Sequence, residues 1–372
     1  MINKERLIEG FKELVMIDSE SGNEREIADF LKRKFADFGL EVIEDDSMEK
    51  SGHGAGNIIA TLQANHDTQS PVIYFTCHMD TVTPGNSIKP KIEGDYIVSD
   101  GTTILGSDDK AGIAAIFEAL TILKEKNIKH GEIQFLITVG EETGLKGSKN
   151  LQQGLVRAEY GFALDSNGKV GKVIIAAPTQ ARIEAVVYGK SAHAGVNPED
   201  GISAIQVASY AISKMKLGRI DSETTANIGK FYGGTATNIV TDRVNILAEA
   251  RSIKEEKIEK QIEHMKKTFE EAAQHFSAKV DFHHEMMYSA YHFTEEDDVV
   301  QKAIKAIRAI GRTPELTASG GGSDANIMNS YGIPTVNLGV GYQEIHTTSE
   351  RMPIEELVKV TELVVELIKQ NA

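Results

Sequence analysis

The chain has 372 residues, and its 40 basic against 55 acidic side chains give a formal net charge of −15. This acidic balance argues against a partner that presents phosphates, so we expect no nucleic acid among its partners. No stretch approaches the roughly 20 apolar residues of a membrane span, and the N-terminal residues lack the features of a signal peptide. With Cys77 as its single cysteine, the sequence predicts a cytoplasmic protein with no internal disulfide and no membrane partner.

The first 164 residues alternate between helical and strand patterns. Apolar residues recur every three or four positions in the segments that we predict as helices, whereas short apolar runs predict strands. This alternation indicates an α/β sheet that is covered on both faces. The predicted helices are 2–16, 23–38 and 111–126, and the predicted strands are 57–61, 72–76, 133–139 and 160–164.

The pattern changes near residue 177 and returns near residue 291. Between these points the order is approximately β-α-β-β-α-β, which is typical of a compact α+β, ferredoxin-like domain. We therefore predict a discontinuous α/β domain of residues 1–177 and 291–372, with an inserted domain of residues 178–290. The elements that we can place are strands 181–188, 244–250 and 279–286 with helices 201–215 and 253–275, then helix 299–310, strand 335–340 and helix 354–369.

Two adjacent carboxylates, Glu141 and Glu142, follow the predicted strand 133–139 in the run Gly-Glu-Glu-Thr-Gly. Adjacent anions repel each other, so a divalent cation is one natural cause of such a pair. An isolated pair is more often a solvated acidic turn, and other residues must decide between the two interpretations.

Further imidazole and carboxylate side chains occur where predicted strands give way to loops, or where a helix begins. The carboxyl ends of strands in an open α/β sheet are its usual ligand-binding edge, although turn-opening and helix-capping roles are ordinary alternatives. A mixed set of imidazoles and carboxylates suits zinc, or less specifically cobalt or manganese, and five such ligands suit two ions better than one. The residues are His78, Asp80, Asp108, Asp109, Asp165 and His346.

A hydrolytic two-metal site also needs a base. The ions in such a site lie about 3.5–4 Å apart and share a water molecule that ionises near neutral pH. A carboxyl group beside that water, but not consumed by metal binding, can take its proton. The adjacent glutamates can supply one ligand and one base.

In combination and in order, the motifs of this chain resemble the M20 family of dinuclear zinc peptidases and deacylases, most closely its peptidase T-like branch. The likeness covers nearly the whole chain. Its carriers are HMDTV from His78, LGSDDKAG from Leu105, GEETG from Gly140, ALDSNG from Ala163, SAHAG from Ser191 and GGGSDAN from Gly320. One departure concerns specificity, because peptidase T proper has an arginine just before the late Gly-Gly pair, where this chain has Ser319-Gly320.

The resemblance implies a catalytic domain with a mixed sheet flanked by helices, and an inserted dimerisation domain. It also implies two Zn²⁺ per subunit, with Co²⁺ or Mn²⁺ as possible substitutes. The implied ligands are His78 and Asp165 on one ion, Glu142 and His346 on the other, and Asp108 bridging both.

The remaining implied roles concern catalysis near the metals. Asp80 would orient His78, and Glu141 would be the general base. The peptide bond after Asp108 would be cis, as it is in similar proteins.

The resemblance also points to four residues of the inserted domain and the late glycine loop. His193 would reach the active site, in several family members that of the partner subunit, and would donate to the developing oxyanion. Asn238 and Arg251 resemble residues that hold a substrate's carboxylate or scissile oxygen, and Gly321 would let substrate approach the backbone. Without the resemblance, the alternatives are a loop histidine for His193, a surface ion pair for Arg251 and an ordinary turn for Gly321.

We therefore predict a homodimeric metallohydrolase that cleaves small peptides, as an aminopeptidase of the tripeptidase type. The first alternative keeps the chemistry and changes the substrate, giving an N-acyl amino acid deacylase or a carboxypeptidase-like hydrolase. The second is a non-catalytic, metal-stabilised dimer that binds peptides. Glu141 argues against the second alternative, since a binder needs no spare base beside its metals.

Overall fold

The computed structural model describes residues 2–372. None of the helices in this range is both long and apolar enough to cross a membrane. The helices are α1 (Lys4–Val15), α2 (Arg25–Asp37), α3 (Ser47–Ser51), α4 (Ser107–Glu125), α5 (Lys146–Lys149), α6 (Ala204–Lys214), α7 (Glu255–His275), α8 (Asp298–Ala309), α9 (Asp324–Ser330) and α10 (Ile354–Gln370), with a 3₁₀ helix at Pro198–Asp200. The strands are β1 (Glu41–Glu44), β2 (Ile58–Leu62), β3 (Ile73–His78), β4 (Lys91–Glu93), β5 (Tyr96–Val98), β6 (Ile133–Thr138), β7 (Tyr160–Ser166), β8 (Lys172–Ala177), β9 (Thr179–Tyr188), β10 (Gly218–Arg219), β11 (Thr224–Gly233), β12 (Arg243–Ser252), β13 (Lys279–Tyr288), β14 (Tyr291–His292), β15 (Glu315–Ala318), β16 (Thr335–Gly339) and β17 (Arg351–Pro353).

The chain forms two compact units. The first contains the described residues up to Ile175, together with Phe293–Ala318 and Ser323–Ala372. The second contains Ala176–His292 and the short segment Ser319–Gly322. The sequence placed the boundaries after residues 177 and 290, and it gave no sign that Ser319–Gly322 would group with the second unit.

The first unit is built on a mixed sheet, as predicted. Its strand order is β1-β2-β6-β3-β7-β16-β8, and β15 also pairs with β8. Strands β6, β3, β7 and β16 are neighbours and run parallel, whereas β2 and β8 pair antiparallel at the flanks. Because these four strands share one direction, their carboxyl ends meet at a single edge of the sheet.

The parallel strands are unbroken apolar runs because both faces of the sheet are covered. Every residue of β3 and of β6 is buried, and α4 packs on β3 and against α1 and α10. Phe75 on β3 lies between Phe135 and Phe162, at ring-centroid distances of 6.0 and 5.7 Å. This close packing provides a stiff base for the side chains at the end of the strands.

A second, three-stranded sheet in the first unit has the order β17-β5-β4. This small sheet was not predicted from the sequence. Its strands have three residues each, which is too short to show a period of two.

The second unit is an antiparallel sheet with two helices. Its main elements run β9-α6-β11-β12-α7-β13 along the chain, and the sheet order is β10-β11-β12-β9-β13. This is the predicted β-α-β-β-α-β order, although the sequence analysis did not locate β11. A register shift between Ile228 and Lys230 interrupts the alternation of that strand, and its second half is exposed.

Candidate metal centre

The ligand residues proposed from the sequence meet at the carboxyl edge of the parallel strands. His78 is the last residue of β3, and the two glutamates follow β6. Asp165 lies within β7, which extends two residues beyond the predicted strand 160–164. His346 lies in the loop after β16, and Asp108 lies at the start of α4, where the Asp108–Asp109 peptide bond is cis as the resemblance implied.

Two groups of three potential metal ligands share Asp108. One group is His78, Asp108 and Asp165, the other is Asp108, Glu142 and His346, and the ligand atoms within each group lie within 4.8 Å of one another. Asp108 Oδ1 is 3.2 Å from His78 Nε2, and its Oδ2 is 3.3 Å from His346 Nε2. Each oxygen of this carboxylate therefore faces a different imidazole, which is the arrangement of a ligand that bridges two metal ions.

The tautomer of His78 follows from its partners. Its Nδ1 lies 2.9 Å from the main-chain oxygen of Asp80, which can only accept a hydrogen bond, so the neutral imidazole carries its proton on Nδ1. Its Nε2 is thereby left for a metal and lies 3.9 Å from Asp165 Oδ1. The Asp80 carboxylate is farther from Nδ1, at 3.5 Å, so the closest orienting group is the backbone of Asp80.

The site fits a pair of divalent cations because its carboxylates repel one another. Burial, followed by the charge of Asp108, raises the pKa of Asp165 well above its ordinary value. Burial also raises the pKa of Glu141, and Asp165 adds to that rise. A divalent ion relieves such repulsion, and two imidazoles with several carboxylates are a donor set for zinc, cobalt or manganese. The residues present could therefore hold two ions.

The carboxylate of Asp80 shapes the loop that carries both glutamates. Asp80 is fully buried and accepts hydrogen bonds from the backbone N–H of Glu141 at 3.0 Å and of Glu142 at 3.3 Å. It also accepts one from Ser21 Oγ at 2.6 Å. The backbone turns away from the strand direction at Gly140, whose φ is +58°. Because of this turn, two neighbouring side chains can reach one site instead of pointing to opposite faces of a strand.

Glu141 is half-buried and lies within ligand distance of His78 and Glu142. The two groups that share Asp108 are nevertheless complete without it. Glu141 can therefore either ligate an ion, in a third group with His78 and Glu142, or act as a carboxyl group beside the two groups that share Asp108.

Three buried residues that support the site were missed by the sequence analysis. Asp324 accepts hydrogen bonds from Thr138 Oγ1 and Ser148 Oγ, both at 2.5 Å, which joins the two ends of the loop 139–147. Asn337 Oδ1 accepts a hydrogen bond from the main-chain N–H of Asp165 at 3.0 Å, and Asn337 Nδ2 donates one to the main-chain oxygen of Asp165 at 2.7 Å. Glu350 accepts from the loop that carries Asp108. Asp324 lies in the quoted string GGGSDAN, but no local pattern marks the other two.

In the second unit, the structure brings His193 and Asn238 together on adjoining loops. The Ala194 N–H donates to Asn238 O at 2.9 Å, and the Val240 N–H donates to Ala192 O at the same distance. Both His193 and Asn238 are exposed. His193 Nδ1 accepts a hydrogen bond from the Gly195 N–H at 3.2 Å, so its Nε2 is the nitrogen that could meet another molecule.

Arg251 is held by an ion pair within the second unit. Its Nε and Nη2 donate to the two carboxylate oxygens of Glu249 at 2.9 and 3.0 Å, and its Nη1 donates to Gly320 O at 3.3 Å. One side of the guanidinium fork is therefore occupied, and Nη1 is the part that faces the glycine loop.

In the glycine loop 320–322, packing requires a glycine at only one position. A Cβ on Gly321 would lie 3.7 Å from Arg251 Nη1, which is an ordinary contact. A Cβ on Gly322 would lie 2.3 Å from the Tyr288 ring, which is a severe clash. The predicted role of Gly321 is therefore not demanded by its surroundings, whereas Gly322 is fixed by the side chain above it.

The fold and the site define an α/β protein with a mixed sheet and a candidate two-metal centre at the carboxyl edge of that sheet. Comparison with known proteins agrees with this class. Residues 74–370 match the model of Peptidase family M20/M25/M40, and the chain belongs to this family. The predicted family membership is confirmed.

Three relatives are similar to the chain along its whole length. It is 59% identical over 100% of both chains to "Uncharacterized protein YqjE" of Bacillus subtilis strain 168. The crystal structure of aminopeptidase PepT from Bacillus cereus ATCC 10987 superposes with a TM-score of 0.94 at 59% identity, covering 100% of this chain and 99% of that one. A tripeptidase from Staphylococcus aureus Mu50 has a TM-score of 0.97 at 48% identity, with the same coverage. The predicted peptidase T-like branch is therefore confirmed as well.

Proposed function

We propose that this protein is a metal-dependent aminopeptidase that hydrolyses small peptides, in the manner of a tripeptidase. The similar proteins from Bacillus cereus and Staphylococcus aureus are an aminopeptidase and a tripeptidase, at 59% and 48% identity. The observation that carries the proposal is the shared carboxylate of Asp108 between two ligand groups, with Glu141 left over beside them. Two ligand groups and a spare base are the parts that amide hydrolysis requires.

The residues would divide the chemistry as follows. His78 and Asp165 would hold one ion, Glu142 and His346 the other, and Asp108 both. When bound, the two ions would polarise the scissile carbonyl and acidify the attacking water. Glu141 would take the proton of that water and return it to the leaving amine, a transfer that suits a carboxyl group whose pKa is raised by burial.

Zinc is the metal that we propose, with Co²⁺ or Mn²⁺ as substitutes. The support is the donor set of two imidazoles and three carboxylates, which binds borderline ions such as zinc in preference to calcium or magnesium.

The second unit would bind substrate and join two subunits. We propose that His193 donates to the oxyanion and that Asn238, Arg251 and Gly321 contact the substrate. For His193 and Asn238 the support is their exposure on adjoining loops, and for Arg251 it is the Nη1 that faces the glycine loop.

We further propose a cytoplasmic homodimer that forms through the inserted domain. Beyond Thr225 and Ala226, the outer side of β11 has no strand partner among the described residues, and its Phe231 and Tyr232 are 40% and 54% exposed. Such an edge can pair with the same strand of a second copy. Sedimentation of a Phe231→Asp variant tests this, because loss of the dimer is expected and a wild-type mass contradicts it.

A hydrolysis panel tests the proposed activity. The substrates are tripeptides with free amino termini, the same tripeptides acylated, and N-acyl amino acids, each assayed with chelator and with added zinc or cobalt. Cleavage of the free tripeptides alone, restored by metal, is the expected result. Preference for the acylated substrates would favour the deacylase, and cleavage of none would favour a peptide-binding dimer.

A further inference from the structure

We infer that Glu350 is a positioning residue that fixes the bridging Asp108 relative to His346, and so assembles the second of the two metal positions. The inference rests on the proposed function, since it takes Asp108 and His346 as ligands. Glu350 itself contacts neither the candidate metal positions nor a substrate group. It acts through the backbone of the loop that carries Asp108.

Glu350 is 1% exposed, and its carboxylate accepts five hydrogen bonds from four consecutive residues. Its Oε2 accepts from the N–H groups of Leu105 at 2.8 Å and Gly106 at 2.9 Å. Its Oε1 accepts from the N–H and Oγ of Ser107 at 2.7 and 2.5 Å, and from the N–H of Asp108 at 3.2 Å. An ionised carboxylate offers about four lone-pair sites, so this loop uses the full acceptor capacity of Glu350.

The loop that carries His346 is held in shape by hydrogen bonds between its own residues, among them Thr347 Oγ1 to Glu344 O at 2.7 Å and the Glu350 N–H to Thr347 O at 3.1 Å. It is closed at its base, where Gln343 and Arg351 exchange two backbone hydrogen bonds of 3.0 Å. Between these residues, Glu344 and His346 adopt left-handed φ angles of 54° and 63°, which non-glycine residues rarely do. The His346 side chain is also 48% exposed. The Glu350 side chain therefore provides a buried anchor between this loop and the loop that carries Asp108.

The two metal positions depend on this anchor to different degrees. His78 and Asp165 belong to the buried strands β3 and β7, which the sheet holds in place. His346 belongs to the loop that Glu350 anchors. Loss of the anchor should therefore weaken the ion held by Glu142 and His346 more than the ion held by His78 and Asp165.

Glu350→Gln is the direct test. An amide has one oxygen and one NH₂ group, and the NH₂ would face backbone donors that now meet a carboxylate oxygen, so at least two of the five bonds are lost. Outer groups that orient metal ligands contribute about 10–100-fold to metal affinity. We expect a loss of that size for the ion held by Glu142 and His346, and a smaller loss for the ion held by His78 and Asp165, which shares only Asp108 with the anchored loops.

Two further variants make the test decisive. Ser107→Ala removes one of the five donors and keeps the carboxylate, so it should weaken the same ion by a smaller factor, and it serves if Glu350→Gln does not fold. Glu118→Gln is the matched control. Glu118, which lies on α4, is buried like Glu350. Its carboxylate accepts hydrogen bonds from the Asn3 N–H and from Arg6 Nε, away from the candidate site. It should lower thermal stability without changing metal affinity.

The measurement is calorimetric titration of the chelator-treated full chain with Co²⁺, followed in parallel by visible absorption. Selective loss of one of two binding steps in Glu350→Gln and Ser107→Ala, with both steps intact in Glu118→Gln, supports the inference. Wild-type titrations of both test variants, or equal weakening of both steps, would overturn it while the proposed function stands. A wild-type chain that binds no pair of ions would overturn the proposed metal centre itself.

Discussion

The two units present their candidate functional residues in opposite ways. In the first unit, His78, Asp80 and Asp108 are buried, and hydrogen bonds to nearby backbone and side-chain groups fix their positions. In the second unit, His193 and Asn238 are exposed on loops. Mutually repelling carboxylates that the fold holds together need a cation to stabilise them, whereas exposed loop residues need only a substrate or a partner subunit. We therefore propose that the first unit carries out the chemistry and that the second contributes to recognition.

The largest effect should come from Glu141→Gln in the first unit. This change keeps the shape of the side chain and removes its capacity to carry a proton, so kcat on a tripeptide should fall by about 10²–10⁴-fold. The metal content should stay at the wild-type level, because the two groups that share Asp108 do not include Glu141. Retained turnover, or loss of metal together with activity, would contradict the division of roles between the two glutamates.

Metal removal should affect the two units unequally. An ion present at about 100 times its dissociation constant stabilises its site by about 2.7 kcal/mol, which corresponds to about 100-fold slower opening. Hydrogen exchange with and without chelator should therefore change in the loops 105–108, 139–147 and 340–350. Exchange in the loops 190–201 and 234–242 should not change. Equal changes in hydrogen exchange in both units would contradict the proposal that the metal ions bind in the first unit.

Gly322→Ala should destabilise the second unit through packing alone. The added Cβ would meet the Tyr288 ring at 2.3 Å, and overpacking of this kind costs about 1–3 kcal/mol. Gly321→Ala is its control, because the added Cβ makes an ordinary contact at 3.7 Å. Urea titration measures both variants, and equal stabilities would show that the glycine loop is less closely packed than the structure indicates.

Arg251→Lys should give the smallest effect, and it should appear in substrate binding. Lysine keeps the charge but loses the planar fork, so KM should rise by about fivefold while kcat stays nearly unchanged. Arg182→Lys is a suitable control, since Arg182 pairs with Glu184 on the same sheet at 2.7 Å and has no proposed substrate role. An unchanged KM for Arg251→Lys would leave Arg251 as a structural partner of Glu249.

The sequence predicted those parts of the molecule that depend on local patterns. The α/β sheet covered on both faces and the approximate β-α-β-β-α-β order followed from apolar periodicity, and the candidate ligands followed from their places near the ends of strands. The mixed sheet and the assignment of ligands to each ion followed from the resemblance to the M20 family. The supporting residues could not be predicted in this way. Glu350 bonds residues 242 to 245 positions earlier in the chain, and Asp324 bonds Thr138 and Ser148 from 186 and 176 positions away. Such pairings depend on tertiary packing, which leaves no periodic trace in the sequence.

The segment Ser319–Gly322 illustrates the same limit. From the sequence, its glycines predict either an ordinary turn or a close approach of substrate, whereas in the structure Gly322 is constrained by Tyr288, and Arg251 donates to Gly320. No local pattern predicts that Asp80 holds the backbone N–H groups of both glutamates.

Anomalous diffraction at the zinc edge, from crystals of the zinc-loaded protein, tests the central claim most directly. We expect two peaks about 3.5–4 Å apart on either side of the Asp108 carboxylate. One peak should be ligated by His78 and Asp165, the other by Glu142 and His346, and Glu141 should coordinate neither. A single peak, or a peak ligated by Glu141, would contradict the account.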